Sequence, residues 1–294
     1  MKKILFRLFS RLPFGVLYVI SDFIYLVLYY VVKYRRRVVR MNLRNSFPEK
    51  SDAELRAIER GFFHFLCDYG VESLKLLTIK PEEMKRRMIF ENCEAVDRAL
   101  DTHDFVFVYL GHFCNWEWVS SLPLWLDPRT TLAELYRPLN SKTMDELFIE
   151  LREHHGAKCI SKYDALREIM RLKAEGKKSV IGFVADQTPH PNNTHLWMDF
   201  LNQDTPIFTG TERIGKKVNA AIFFLDMKRT SRGHYCGTFK PITDDPKSYP
   251  DFQISEICTR ELEVMICRQP SYWLWSHKRW KHKRPANTPK NDRK

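Results

Sequence analysis

No Cys-x-x-C pair occurs in this 294-residue chain, and its cysteines are an odd seven: Cys67, Cys93, Cys114, Cys159, Cys236, Cys258 and Cys267. Reduced thiols fit that set; a disulfide framework or a zinc site built from cysteines does not. His154-His155 and His190/His195 lack a metal-ligand spacing, so no metal site is expected. Internal repeats and low-complexity segments are absent. Only one apolar run reaches membrane length, residues 13–32. No small-residue cleavage site follows it, which argues against a cleaved signal peptide.

That run reads PFGVLYVISDFIYLVLYYVV. As a helix it is about 30 Å long, the thickness of a hydrocarbon core. Asp22 is its only formal charge, at a cost of roughly 3 kcal/mol if placed at mid-bilayer. Lys2, Lys3, Arg7 and Arg11 precede it; Lys33, Arg35, Arg36, Arg37, Arg40 and Arg44 follow. The excess behind the run favours a cytoplasmic body. Charge on both flanks also suits a helix lying in the interface. A spanning anchor, an interfacial anchor and a buried helix of a soluble core all remain open.

The length allows one large α/β domain or two small ones, and 44% apolar residues suffice for a core. The net charge of +12 points to an anionic partner: nucleic acid, anionic lipid or an acidic protein. A merely soluble basic protein has the same balance. The closing stretch Pro270 to Lys281 mixes Tyr272, Trp273, Trp275 and Trp280 with Lys278, Arg279 and Lys281. That mixture suits a membrane interface or stacking on single-stranded nucleic acid. The apolar run near the start favours the membrane.

The clearest chemistry follows the apolar run Asp104 to Leu110, which reads as a buried strand. It ends in Gly111-His112-Phe113-Cys114-Asn115-Trp116-Glu117, and α/β folds place their chemistry at such strand ends. Five steps of a straight helix turn about 140°, so His112 and Glu117 share no helix face. A turn brings them together, with Asn115 as the N-cap and Glu117 in the first helical turn. A carboxylate on one ring nitrogen fixes the tautomer and makes the other a better base. The alternatives are a structural histidine beside an unrelated glutamate, and a Cys114–His112 nucleophile.

Along the chain, helices are predicted over Asp52–Leu77, from Pro81, over Glu94–Leu100, Thr143–His154, Tyr163–Glu175, Thr209–Lys217 and Ser255–Arg268. Strands are predicted at Leu132–Tyr136, Lys158–Ile160, Ser179–Val184, Ala220–Leu225 and, as an edge, His234–Lys240. Residues 190–208 read as loop. The alternation makes the class α/β.

Five patches resemble the late (lauroyl/myristoyl) acyltransferases of lipid A biosynthesis, in the lysophospholipid acyltransferase superfamily. They are Met41-Asn42-Leu43 with Phe47-Pro48-Glu49; Gly111-His112-Phe113 through Glu117; Tyr136-Arg137-Pro138 with Asn140; Ala185-Asp186-Gln187; and Pro270 through Lys281. The resemblance implies a central mixed sheet flanked by helices in one acyltransferase domain, residues 35–284. A membrane-associated helix, 1–34, precedes it and a polar basic tail, 285–294, follows. It implies transfer of a fatty acyl group from an acyl carrier protein or coenzyme A thioester to a hydroxyl of a lipid A precursor. The setting it implies is the cytoplasmic face of the inner membrane, in lipopolysaccharide biosynthesis of a Gram-negative bacterium. No cofactor and no nucleic acid are expected. His112 matches the catalytic base and Glu117 its partner. Arg137, Asn140, Asp186 and Gln187 match substrate-binding positions. Arg35–Arg37 and Lys278–Arg284 are expected to face headgroups. Cys114 stands where many members have Gly. The Pro191–Phe200 loop departs from the enterobacterial pattern.

Overall fold

The computed structural model describes residues 2–286. The expected polar tail therefore lies, but for its first two residues, outside the described residues. The chain opens with α1 (Lys2–Ser10), α2 (Phe14–Leu26), α3 (Arg36–Ser46) and α4 (Asp52–Lys75), and α2 continues as a π-helical stretch over Val27–Val32. Then come α5 (Pro81–Arg87), β1 (Met88–Glu91), α6 (Cys93–Thr102) and β2 (Phe105–Leu110). A 3-10 helix, Trp116–Leu124, precedes β3 (Thr131–Tyr136), α7 (Lys142–Glu153), β4 (Lys158–Ser161), α8 (Ala165–Ala174) and β5 (Ser179–Val184). The hairpin β6 (Leu196–Phe200) and β7 (Gln203–Ile207) follows, then α9 (Gly210–Val218), β8 (Ala221–Ser231), β9 (His234–Thr243) and α10 (Gln253–Arg268).

Local chemistry sets several boundaries. Ser51 and Glu54 form a capping box that starts α4. Pro81 opens α5, where a missing N–H costs nothing. All six residues of β2 are buried, which explains its unbroken apolar run.

Seven strands form one sheet in the order β1-β9-β8-β2-β5-β3-β4. Neighbours are parallel except β8 and β9, so the sheet is mixed, as expected. β2 is the middle strand. The carboxyl ends of β2, β5 and β3 share one edge of the sheet, where ligands of open α/β sheets bind.

Three local expectations are corrected. The strand expected at an edge, β9, has β1 outside it. β1 is only four residues long and alternates buried and exposed, too short for a periodic signal. Residues 190–208 hold a hairpin. Its turn residues, Leu201 and Asn202, have φ of 51° and 57°, the primed geometry usually marked by Asn-Gly. The helix after the histidine is 3-10 with Pro123 inside it, and Asn115 precedes it without capping it by its side chain.

The opening helices are part of the packed body. Phe14, Leu17 and Tyr29 are buried, and α2 runs antiparallel along α4. From one end to the other, Lys75 Nζ donates to the Leu12 carbonyl (2.8 Å), Tyr18 Oη to Glu72 (3.0 Å), Ser21 Oγ to Asp68 (2.8 Å) and Arg36 Nε to Glu59 (3.2 Å). Arg232 clasps Asp22 and Asp68 together (both 2.6 Å). Asp22, His64 and Asp68 are the one potential metal-ligating trio among the described residues, but the guanidinium already occupies both carboxylates.

Candidate active site

β2 and β5 are paired in register to their ends, Leu110 opposite Val184. Two residues further along each strand stand His112 and Asp186. The His112 ring donates from Nδ1 to Asp186 Oδ1 (2.5 Å), and the His112 backbone N–H donates to Oδ2 (2.8 Å). The Trp273 indole also donates to Oδ2 (2.7 Å). Gly111 permits the approach: a Cβ there would lie 2.7 Å from Leu262 Cδ1 and 3.3 Å from Asp186 Oδ2.

Asp186 is buried, and burial alone raises a carboxyl pKa. Electrostatic attraction to the His112 ring, the hydrogen bonds from His112 and that of Trp273 outweigh this and bring Asp186 down to about 2. An ionised Asp186 on Nδ1 fixes the tautomer with a lone pair on Nε2. The Gln187 side-chain amide lies 3.1 Å from that nitrogen and donates to it in this tautomer. The arrangement is a base on a carboxylate, with its reactive nitrogen turned away from the sheet partner.

The expected ring partner, Glu117, is elsewhere. Arg152 of α7 grips it with two bonds, Nε to Oε2 (2.7 Å) and Nη2 to Oε1 (2.9 Å). Tyr69 Oη (3.2 Å) and Trp116 Nε1 (3.1 Å) also donate to Oε1. Burial would raise Glu117, but Arg152 wins and lowers it. The Trp116 ring stacks on Tyr69 (4.1 Å) and meets His112 edge-on (5.0 Å). The pairing of His112 with Glu117 is thus replaced by His112 with Asp186. The cause is local: in the 3-10 helix the Glu117 side chain turns into a buried pocket that contains a cation.

Arg137 and Asn140 follow β3 at the same edge of the sheet and are exposed. Neither makes a hydrogen bond or ion pair among the described residues. Cys114 is buried with a left-handed backbone, φ 51°, and burial pushes its thiol far above the ordinary value. Its geometry does not make it a nucleophile.

In the aromatic-basic closing stretch Trp273, Trp275 and Arg279 are buried and Tyr272 and Trp280 half-buried. Phe113 bridges to Trp273, Cys114 N–H donates to the Tyr272 carbonyl (2.9 Å) and Leu274 N–H to the His112 carbonyl (3.1 Å). Trp275 is fully buried and Arg279 is 2% exposed. These rings back the His112 loop and are not free to lie in a membrane or stack on bases. Arg35 donates to the Ser276 carbonyl (3.0 Å) and Arg36 to Glu59, and Arg37, Lys278 and Lys281 are exposed.

Residues 2–282 match the family described as bacterial lipid A biosynthesis acyltransferase. The chain belongs to that family. It is an acyltransferase, and its relatives bear the same stamp. It is 20% identical over 265 residues to the lipid A biosynthesis myristoyltransferase of Escherichia coli K12, covering 89% of this chain and 80% of that one. It is 24% identical over 276 residues to the lipid A biosynthesis palmitoleoyltransferase of the same organism, covering 93% and 88%. A lipid A biosynthesis acyltransferase of Shigella flexneri matches equally, at 24%.

In this acyltransferase, sequence reading missed Asp186 as the ring's partner, missed the Trp273 indole as a donor to that carboxylate, and missed Arg152 and Tyr69 altogether. One signal was present for Asp186: two buried strands that each stop two residues before a titratable side chain. Arg152 carries no such mark, being one cation on an amphipathic helix among many.

Proposed function

We propose that this acyltransferase moves a fatty acyl chain from an acyl carrier protein or coenzyme A thioester to a hydroxyl of a lipid A precursor. His112 is the general base and Asp186 the residue that positions it. The observation that carries this reading is the Asp186–His112 bond at the carboxyl edge of the central strands. A thioester is already activated, so the protein needs a base and a stabilised oxyanion, not an acyl-enzyme.

Nε2 of His112 takes the acceptor's hydroxyl proton, displacing the Gln187 amide. The oxygen attacks the thioester carbonyl. The carbon–sulfur bond breaks as the ester forms, and the imidazolium returns the proton to the departing thiolate. Asp186 stabilises the imidazolium through Nδ1–H. Arg137, exposed and uncommitted at the same edge, attracts the phosphates of donor or acceptor, and the N–H groups that start the 3-10 helix face the developing oxyanion. Glu117 acts through Trp116 and Arg152, shaping the wall beside the imidazole. The net positive charge suits an acidic carrier protein and a phosphorylated glycolipid. The body faces the cytoplasm at the inner membrane, where thioester donors are made.

The test is mass spectrometry of lipid A and phospholipid from cells with and without the gene, complemented by wild type or His112→Ala. Loss of one acyl chain from lipid A in both the deletion and the variant is expected. Unchanged lipid A with altered phospholipid or aminolipid would move the acceptor to another class. Full activity of His112→Ala would overturn the base assignment, because general-base catalysis is worth roughly 10²–10⁴.

A further inference from the structure

The α2 helix has two apolar stripes and the body covers one. Phe14, Leu17 and Tyr29 face α4 and are buried. On the other side Val16, Val19, Phe23, Leu26, Val27 and Tyr30 repeat at helical spacing, and all are exposed, Val19 by 69% and Phe23 by 66%. With its π-helical continuation the element is long and apolar enough to cross a membrane, over Phe14–Val32. Its contacts oppose crossing. It is fastened to α4 by Tyr18 on Glu72 and Tyr29 on Phe63, and just outside its ends by Leu12 on Lys75 and Arg36 on Glu59. Midway, Ser21 and Asp22 meet Asp68 and Arg232.

Threading α2 through a bilayer has two outcomes, both unfavourable. If α4 goes with it, Asp68 and Glu72 enter hydrocarbon, where charge is costly, and Asp68 leaves Arg232 behind. If α4 stays, Phe63, fully buried and packed on Tyr29, is uncovered and Asp68 loses Ser21. The exposed stripe is bounded by exposed cations, Arg11 before it and Lys33, Arg35 and Arg37 after it. A bare apolar stripe with cationic ends is what an anionic lipid surface binds.

We propose that α2 and its continuation lie in the plane of an anionic membrane surface, outer stripe immersed and inner stripe docked on α4, and do not cross it. The inference rests on the membrane setting proposed above but not on the reaction. α4 supplies Tyr69 to Glu117 and α1 holds α7 through Arg7 on Glu150 (2.9 Å from Nε), so the docked opening helices are tied to the wall beside His112.

The test uses the full chain with a protease-cleavable tag at each end, in spheroplasts and inverted inner-membrane vesicles. Both tags cut in inverted vesicles and neither in spheroplasts is the expected result. Tags on opposite sides would overturn the proposal. In parallel, a Val19→Glu, Phe23→Glu double variant is added to phosphatidylglycerol vesicles. Loss of roughly 10-fold binding per side chain is expected, with an unchanged thermal melt because neither side chain faces α4. Wild type that ignores the vesicles and forms a dimer, split by the same variant, would make the stripe a self-association face and sink the proposal. Acyl transfer by wild type in detergent micelles is read alongside. Its absence would fail the proposed reaction and leave the anchor standing.

Discussion

Asp186→Asn separates the two possible partners of His112. The carboxylate accepts three donors: the ring Nδ1–H, the His112 backbone N–H and the Trp273 indole. An asparagine keeps its oxygen on the backbone and indole donors and turns its amide towards Nδ1. The ring then carries its proton on Nε2 and has no lone pair for the acceptor hydroxyl. The same exchange in a serine-protease triad lowers turnover about 10⁴-fold, which is about 5.5 kcal/mol of barrier. We expect a kcat loss between 10² and 10⁴ with KM within about threefold, because Asp186 is buried behind the ring. Stability changes too. The folded carboxyl sits at about 2, below its ordinary value, so its contribution is present above about pH 4 and lost as pH falls through 2. At neutral pH that contribution is about 2–3 kcal/mol. The assay is acyl transfer from a defined thioester beside a thermal melt, with Glu117→Gln in the same series. Glu117→Gln should lower the melting temperature more than kcat. If Asp186→Asn keeps kcat within tenfold while Glu117→Gln abolishes it in a folded protein, the reasoning fails and Glu117 is the ring's functional partner.

Three further outcomes are expected. Arg152→Met leaves the Glu117 carboxylate buried without its cation and should cost about 3–5 kcal/mol, about 10 °C in a melt; an unchanged melt would mean the pair is not formed. Burial pushes the Glu134 carboxyl up to about 8, with Arg152 pulling it down and Glu117 pushing it up. The folded chain therefore holds a proton that the unfolded chain releases near 4.5, and stability should fall as pH rises through that window. Glu134→Gln should flatten this limb, and an identical slope in the variant would refute it. Cys114→Gly suits the left-handed backbone at that position and should retain full activity with stability within about 1 kcal/mol; a 100-fold loss in a folded protein would restore the thiol as nucleophile.

The sequence made the central strands legible because both faces of β2 and β5 are covered and their apolar runs are unbroken. His112 at a strand end was legible for the same reason. Its partner was not, since strand order is a long-range property: β2 and β5 are separated by β3, α7, β4 and α8 in the chain. Glu117 was placed on the ring because proximity in sequence stood in for proximity in space, while the cation it binds, Arg152, lies 35 residues away. The closing Trp-rich stretch reads identically whether it faces lipid or core. Only the bridge from Phe113 to Trp273 decides that.

Glu72 bears on how this enzyme can be handled. This one buried carboxylate accepts from Tyr18 of α2 (3.0 Å), from Asn115 of the His112 loop (2.9 Å) and from Tyr235 of β9 (2.7 Å). Shortening the chain to remove the greasy first 34 residues, the ordinary route to a soluble preparation, takes away Tyr18 and also Tyr29, which packs on the buried Phe63. The product is expected to aggregate and not to dissolve, and any folded remnant has a looser His112 loop. Purification therefore has to keep the chain intact, and a preparation clipped near residue 34 should be discarded even if its His112 and Asp186 are unaltered.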